Sequence, residues 1–303
     1  MMSALTERNF SPAGTHQILN QACAEIGIEP LVVTLVRHQT NAVYLIELPD
    51  RARLIVKIAR PAESRTSVER TLRLIDWIGG QGLATVHPTG HFQPVAVGGC
   101  LVTFWPYLDQ GGLRPVTAAE LAEPLAVLHS LRPPFPLPRL EAVSAIRHSI
   151  ATSPILSPAE AALLRKRCDA LSAALPCLPY VLEPGLIHAD PQHRNALRAD
   201  TGQVLLIDWD SACIGQPEWD LVTIEIHTRR FTGDHADYQA FCTAYGIDIR
   251  TWAGFNTLRN LRELRMITTN ARKSTPGSPA ADEVHRRIAG LETGDDDAPW
   301  RRL

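Results

Sequence analysis

Near residue 109 the hydrophobic pattern of this chain changes from short alternating runs to helical spacing, and few folds accommodate both halves. Before that point Leu31–Val36, Ala42–Leu48 and Arg53–Ile58 are β-branched or aliphatic runs, the last two separated by Pro49-Asp50. They predict an antiparallel meander. Val86–Phe92 and Cys100–Tyr107 read as two further strands joined by a Gly-rich turn. Helices are expected at Pro12–Gly27 and at Ser67–Ile78, the second with Val68, Leu72, Ile75 and Ile78 on one face. Asp109-Gln110-Gly111-Gly112 then forms a flexible joint. Beyond it, Thr117-Ala118-Ala119-Glu120 and Ser157-Pro158-Ala159-Glu160 are capping boxes that open helices running to about Ser130 and Leu175. Further helices are expected at Pro217–Arg230, His235–Tyr245 and Arg250–Ala271. The Pro-rich stretches Arg132–Arg139 and Leu175–Pro184 are connectors. The tail from Ser274 is weakly committed to structure, with Ala281–Leu291 able to form one more helix. The pattern implies an α+β protein of two parts: a small antiparallel-sheet domain over 1–108, and a larger, mainly helical domain over 109–303.

With 303 residues, 45% hydrophobic and 20% charged, the chain can bury a substantial core. A formal net charge of −2 gives no basic footprint for nucleic acid. No apolar run approaches the ~18 residues that span a bilayer, and Glu7, Arg8 and Asn9 precede any apolar stretch, so no signal-peptide core is read. A cytoplasmic protein, monomeric or homodimeric, is expected. The six cysteines are scattered without a CxxC pair and read as reduced thiols. Cys213 lies close to the motif described next, but is read as a small buried residue.

Leu186-Ile187-His188-Ala189-Asp190-Pro191-Gln192-His193-Arg194-Asn195 is followed, after a short hairpin, by Val204-Leu205-Leu206-Ile207-Asp208-Trp209-Asp210. Taken singly, Asp190 before Pro191 is an Asx-turn residue, Asn195 is a turn former and Asp208-Trp209-Asp210 is a common DxD tripeptide. Their spacing together fits phosphoryl transfer, which needs a carboxylate beside the acceptor hydroxyl, and an amide oxygen plus a second carboxylate on Mg²⁺. Asp190 takes the first role; Asn195 and Asp208 take the other two. An unpaired carboxylate ending an apolar strand is also costly without a cation or donors nearby, a demand Mg²⁺ would meet. Asp210 reads equally as an extra ligand or as a satisfied loop residue. His188-x-Asp190-x-x-His193 resembles a metallohydrolase cluster, but the second pair of histidines such a site needs is missing nearby, so His188 is read as a structural loop residue. Lys57 interrupts the apolar strand Leu54-Ile55-Val56-Lys57-Ile58, and lysine rarely enters a core unpaired. It reads as a phosphate-binding lysine paired with a helix carboxylate, Glu69 by preference and Glu63 otherwise.

These residues resemble the aminoglycoside phosphotransferase and choline kinase family, which has a bilobal protein-kinase-like fold. The resemblance rests on Val56-Lys57-Ile58, Glu69, the hinge-like Thr103-Phe104-Trp105-Pro106-Tyr107-Leu108, the His188-to-Asn195 block, and Ile207-Asp208-Trp209-Asp210-Ser211-Ala212 leading to Gly215-Gln216-Pro217-Glu218-Trp219-Asp220-Leu221. It implies Asp190 as catalytic base, Asn195 and Asp208 on Mg²⁺, and Asp220 bracing the loop from a following helix. It also implies ATP or GTP as donor, bound near Lys57, Thr40, Asn41, Thr103, Trp105 and Tyr107, and a small hydroxylated acceptor such as an antibiotic, amino sugar or amino alcohol.

The chain departs from the family in three places. Alanine replaces the usual glycine at 189, which is tolerable unless that backbone needs positive φ. Arg37-His38-Gln39-Thr40-Asn41 stands where a Gly-rich phosphate loop would be. Gln192 replaces the lysine of protein kinases, which favours a small-molecule acceptor. Gln192, Asp210, Glu225, His227 and Glu263 are acceptor-site candidates, but Arg229, Arg230, Arg259, Arg262 and Arg265 lie in the same region, so an acidic pocket for a polycation is not evident. The competing reading is a nucleotide-binding pseudokinase without turnover. The intact Lys57, Asp190, Asn195 and Asp208 set argues against it.

Overall fold

A computed structural model describes residues 10–39, 41–61, 63–90 and 92–303. The chain divides into two compact units, one comprising the N-terminal residues to Arg114 together with Leu197–Asp210, the other Pro115–Ala196 together with Ser211–Leu303. Asp208 therefore belongs to the unit that carries Lys57, and Asp190 and Asn195 belong to the other.

The first unit is built on a five-stranded antiparallel sheet of order β1-β2-β3-β5-β4, with β1 at Val32–His38, β2 at Asn41–Glu47, β3 at Arg53–Ala59, β4 at Val95–Val97 and β5 at Cys100–Pro106. Strand alternation decides which face each side chain serves. Ala42, Tyr44 and Ile46 of β2, Val56 and Ile58 of β3, and Val102 and Phe104 of β5 form one core with Ile18, Leu19, Ala22 and Cys23 of helix α1, Pro12–Glu25. A buried bond of 2.7 Å between the hydroxyls of Thr15 and Tyr44 fastens that helix to the sheet. Lys57, out of step with Val56 and Ile58, emerges on the opposite face between Val43 and Thr103. Helix α2, Arg65–Gly80, is capped by Ser64, whose hydroxyl accepts from the Ser67 amide.

The expected strand at Val86–Phe92 does not form among the described residues. Pro88 and Gly90 are poor ladder residues, and the Gln93 side chain makes the contacts a strand would have made. Its Oε1 accepts from the Phe104 amide at 2.7 Å, and its Nε2 donates to the Thr89 carbonyl at 2.8 Å. The strand that pairs with β5 is Val95–Val97 instead.

The second unit is helical. Both predicted capping boxes are present, opening α3, Ala118–Ser130, and α5, Pro158–Ala174. Between them stands a helix the sequence reading passed over, α4, Ala142–Thr152, with Ala142, Ile146 and Ile150 buried at a spacing of four. The short strands β6, Gly185–Ile187, and β9, Cys213–Gly215, pair antiparallel and hold the chain that enters and leaves the candidate loop. The intervening hairpin of β7, Ala196–Arg198, and β8, Val204–Leu206, belongs from Leu197 onward to the first unit. Helices α6, Glu218–His227, α7, His235–Tyr245, and α8, Phe255–Lys273, follow. The tail is ordered: Pro279–Thr293 forms α9, with Ala281, Val284 and Ile288 buried, and Trp300 donates its amide to the Arg230 carbonyl at 2.7 Å. Among the described residues no helix is long and apolar enough to cross a membrane.

Candidate active site

In the sheet unit Lys57 lines a cavity of about 70 Å³ with Asn41, Glu63, Thr103, Trp105 and Asp210. Its ammonium lies 3.1 Å from Asp208 Oδ1 and 2.5 Å from Asp210 Oδ2. Burial works against the Lys57 charge, but Asp208 and then Asp210 outweigh it, and its pKa is raised. Asp208 adopts φ 64°, a left-handed turn that aspartate tolerates better than most residues. The turn is fixed by Trp209 Nε1 donating at 2.8 Å to Thr85 Oγ1, which in turn donates at 2.7 Å to the Leu206 carbonyl.

Glu69 is not the partner of Lys57. It receives Arg65 Nη1 at 3.2 Å on the exposed side of α2, because Ser67, Val68, Thr71 and Leu72 are the helix residues that face the cavity. Glu63, the fallback, does line it. Thr103 receives Trp105 Nε1 at 2.9 Å and both line the cavity. Tyr107 does not; its ring carries the Arg53 guanidinium at 4.3 Å. Thr40 lies outside the described residues.

In the helical unit Asp190 lines a second cavity of about 310 Å³. The approach to it is held by Asp220 in the first turn of α6, fully buried, whose Oδ2 accepts the His188 amide at 2.8 Å and whose Oδ1 accepts the Ala189 amide at 2.9 Å. A residue the sequence reading overlooked completes this brace: His129 Nε2 lies 3.1 Å from Asp220 Oδ2, and its Nδ1 lies 2.7 Å from the Tyr245 hydroxyl. Only its place in the last turn of a helix beginning with a strong cap hinted at it. Ala189 has φ 67°, so this backbone does need the conformation that glycine adopts freely. The alanine is held there by Asp220 and by Trp219 Nε1, which donates to its carbonyl at 3.2 Å.

Both carboxylate oxygens of Asp190 are oriented. Arg262 Nη2 donates to Oδ1 at 2.8 Å, while Gln192 Nε2 and Asn195 Nδ2 donate to Oδ2 at 2.8 and 3.1 Å. Burial favours the protonated acid, but the Arg262 guanidinium, the leading charge beside it, holds the pKa below the usual carboxylate range. Asp190 remains about one-third exposed to the cavity while Arg262 is nearly buried. His227 lines the same cavity, and burial pushes its pKa down to about 3, so its ring is neutral near pH 7. Glu225 and Glu263 do not line it. Arg229 bonds to both at 2.8 Å and Arg230 bonds to Glu263 at 2.8 Å, which uses these acids inside the helical packing. Cys213 is buried, and burial pushes its thiol up to about 12, which removes it from thiolate chemistry.

The donors suited to a metal are hard oxygens. Asn195 spends its Nδ2 on the Asp190 carbonyl and carboxylate, leaving its amide oxygen without a hydrogen-bond donor among the described residues. Asp208 and Asp210 are partly exposed carboxylates. In each unit these oxygens suit Mg²⁺ or Ca²⁺ better than a softer transition metal. No group of three or more His, Cys, Asp or Glu side chains able to hold a metal occurs among the described residues.

Residues 32–258 match the model of the phosphotransferase enzyme family, APH. The chain belongs to this family. No curated protein sequence matches it. Among solved structures, this phosphotransferase is similar to an amicoumacin kinase, hAmiN, in complex with AMP-PNP, Ca²⁺ and Ami, with a TM-score of 0.75, 14% identity, and 99% and 98% of the two chains covered. It is similar to the choline kinase LicA from Streptococcus pneumoniae, TM-score 0.66 at 17% identity, covering 91% of this chain and 98% of that one. A microcompartment-associated aminopropanol kinase gives 0.68 at 18% identity, covering 90% and 94%. At these identities the likeness is one of fold, and it agrees with the α+β class read from the sequence.

Proposed function

We propose that this phosphotransferase moves the terminal phosphoryl group of ATP or GTP to a hydroxyl of a small molecule, with Asp190 receiving that hydroxyl. The observation that carries the reading is the Asp190 carboxylate, kept ionised and aimed by Arg262, Gln192 and Asn195 at a cavity of small-molecule size. A hydroxyl donating to this carboxylate is oriented for in-line attack, and its proton passes to Asp190 late in the transfer. Lys57 supplies the ammonium for the donor phosphates, with Asp208 and Asp210 setting its position. Asp208 in the sheet unit and Asn195 in the helical unit each offer a hard oxygen to Mg²⁺, which would neutralise charge on those phosphates. The similar proteins named for amicoumacin, choline and aminopropanol support a hydroxylated small molecule as acceptor.

A second reading, nucleotide binding without turnover, has one observation in its favour: both Asp190 oxygens already hold donors. The test is nucleoside-diphosphate release with ATP and GTP against a panel of hydroxylated acceptors. Acceptor-dependent release that disappears in Asp190→Ala supports transfer. Release that is unchanged in that variant overturns the role of Asp190, and nucleotide binding without any release selects the second reading.

A further inference from the structure

The charge lining the Asp190 cavity is one-sided. Arg194, Arg262, Arg265, Lys273, Arg287 and Arg302 face a single acidic side chain, Asp190, which Arg262 already answers. Helix periodicity produces much of this: Arg262, Arg265, Met266, Thr269 and Lys273 recur on one face of α8, while Leu264, Ile267 and Ala271 are buried on the other. The acids that would balance the cavity, Glu225 and Glu263, are taken up by Arg229 and Arg230.

Arg194, Arg265 and Arg302 have no side-chain hydrogen bond or ion pair to any described residue, and Arg265 is only partly exposed. Arg287 is 3% exposed, and its Nη1 has no hydrogen-bond partner although its other nitrogens reach Glu283 and the Arg301 carbonyl. Native proteins rarely leave buried guanidinium donors unmet, and clustered cations repel one another. His227, which also faces the cavity, has its pKa lowered by burial to about 3, so it adds no charge near neutrality. A polycation entering here meets like charge; an anion meets several free donors in planar forks suited to carboxylate or phosphate.

We infer that the acceptor is a hydroxylated anion, whose carboxylate or phosphate is bound by Arg265 and its neighbouring arginines while its hydroxyl reaches Asp190. The inference rests on the phosphotransferase reading for the hydroxyl, but not for the anion site.

The test uses the full chain with glycerate and glycerol 3-phosphate as anionic probes, and glycerol, choline and kanamycin as neutral and cationic ones. Calorimetric binding is measured with saturating AMP-PNP and Mg²⁺, so that donor phosphates do not account for the signal; phosphoryl transfer is followed with ATP and with GTP. Binding confined to the anions is expected, and the two anionic arms separate carboxylate from phosphate. Arg265→Gln should weaken that binding by roughly 10-fold or more, the scale of one charged hydrogen bond. Arg302→Gln, at an exposed position, gives a second reading if the first variant misfolds. Binding of choline, kanamycin or glycerol in preference to the anions overturns the inference, as does anion binding unaffected by either variant or abolished by the nucleotide. Anion binding without transfer leaves the site standing and removes the phosphotransferase role instead.

Discussion

The cavity at Lys57 and the cavity at Asp190 are each organised by a carboxylate touching a cation, yet their balances of charge are opposite. In the sheet unit one ammonium is outnumbered by Asp208, Asp210 and Glu63; in the helical unit one carboxylate is outnumbered by six basic side chains. The surplus, not the pair, shows what each cavity still lacks. Surplus carboxylate oxygen calls for a further cation, and surplus guanidinium calls for an anion.

The strongest way to break this comparison is at Asp190. Asp190→Asn keeps the shape but accepts no proton, and kcat should fall ~10²-fold or more while Mg-nucleotide affinity is retained. Equal turnover would show that the pair at Asp190 is structural. In the sheet unit, Lys57→Ala leaves Asp208 and Asp210 facing each other without their ammonium. Nucleotide affinity by calorimetry should drop by roughly 10-fold, from loss of a charged contact, and unchanged affinity would remove that cavity from donor binding.

Arg262→Gln sharpens the contrast, because Arg262 is what holds the Asp190 carboxyl low. Its removal should move the acidic limb of the kcat/KM profile to higher pH; a limb that stays in place would assign it to another group. His227 provides a stability measurement. Its folded pKa, about 3, lies below its ordinary 6.5, so as pH falls the unfolded chain takes up the proton first. The stability from neutral burial is complete above about 6.5 and is lost as pH falls toward 3. His227→Gln should flatten that part of a denaturation series, and an unchanged slope would place the ring in a wetter site. The smallest effect is expected at Ala189. Ala189→Gly relieves a left-handed alanine and should stabilise by about 1 kcal/mol, raising Tm by a few degrees. A lower Tm would mean that chain entropy outweighs the strain.

What was legible in the sequence followed from local rules. Alternation alone places Lys57 on the face opposite Val56 and Ile58, and two hydroxyl-x-x-Glu patterns locate the starts of α3 and α5. The strand assigned to Val86–Phe92 was misplaced by giving its apolar residues more weight than Pro88 and Gly90. Helix α4 was missed although its four-residue spacing was visible, because the proline-rich stretch before it hid its start. Partners distant in sequence were beyond such rules. Glu69 lies on a helix face adjacent to the one that meets the cavity, and a single residue of rotation decides this. The Arg229–Glu225 pair spans four residues and is readable on one helix, whereas Arg230–Glu263 and Arg262–Asp190 exist only once α8 packs against the segments before it. The left-handed backbone at Ala189 was likewise visible only as a residue out of place.

Asp220 gathers the amides of His188 and Ala189 and the ring of His129 on one fully buried carboxylate. Those two amide protons are shut away from water by a group that cannot withdraw without disturbing α3 and the start of α6. They should therefore be among the slowest in the loop to exchange with deuterium, requiring opening of the helical unit rather than local fraying. Their exchange would time the integrity of the Asp190 approach directly, without a substrate.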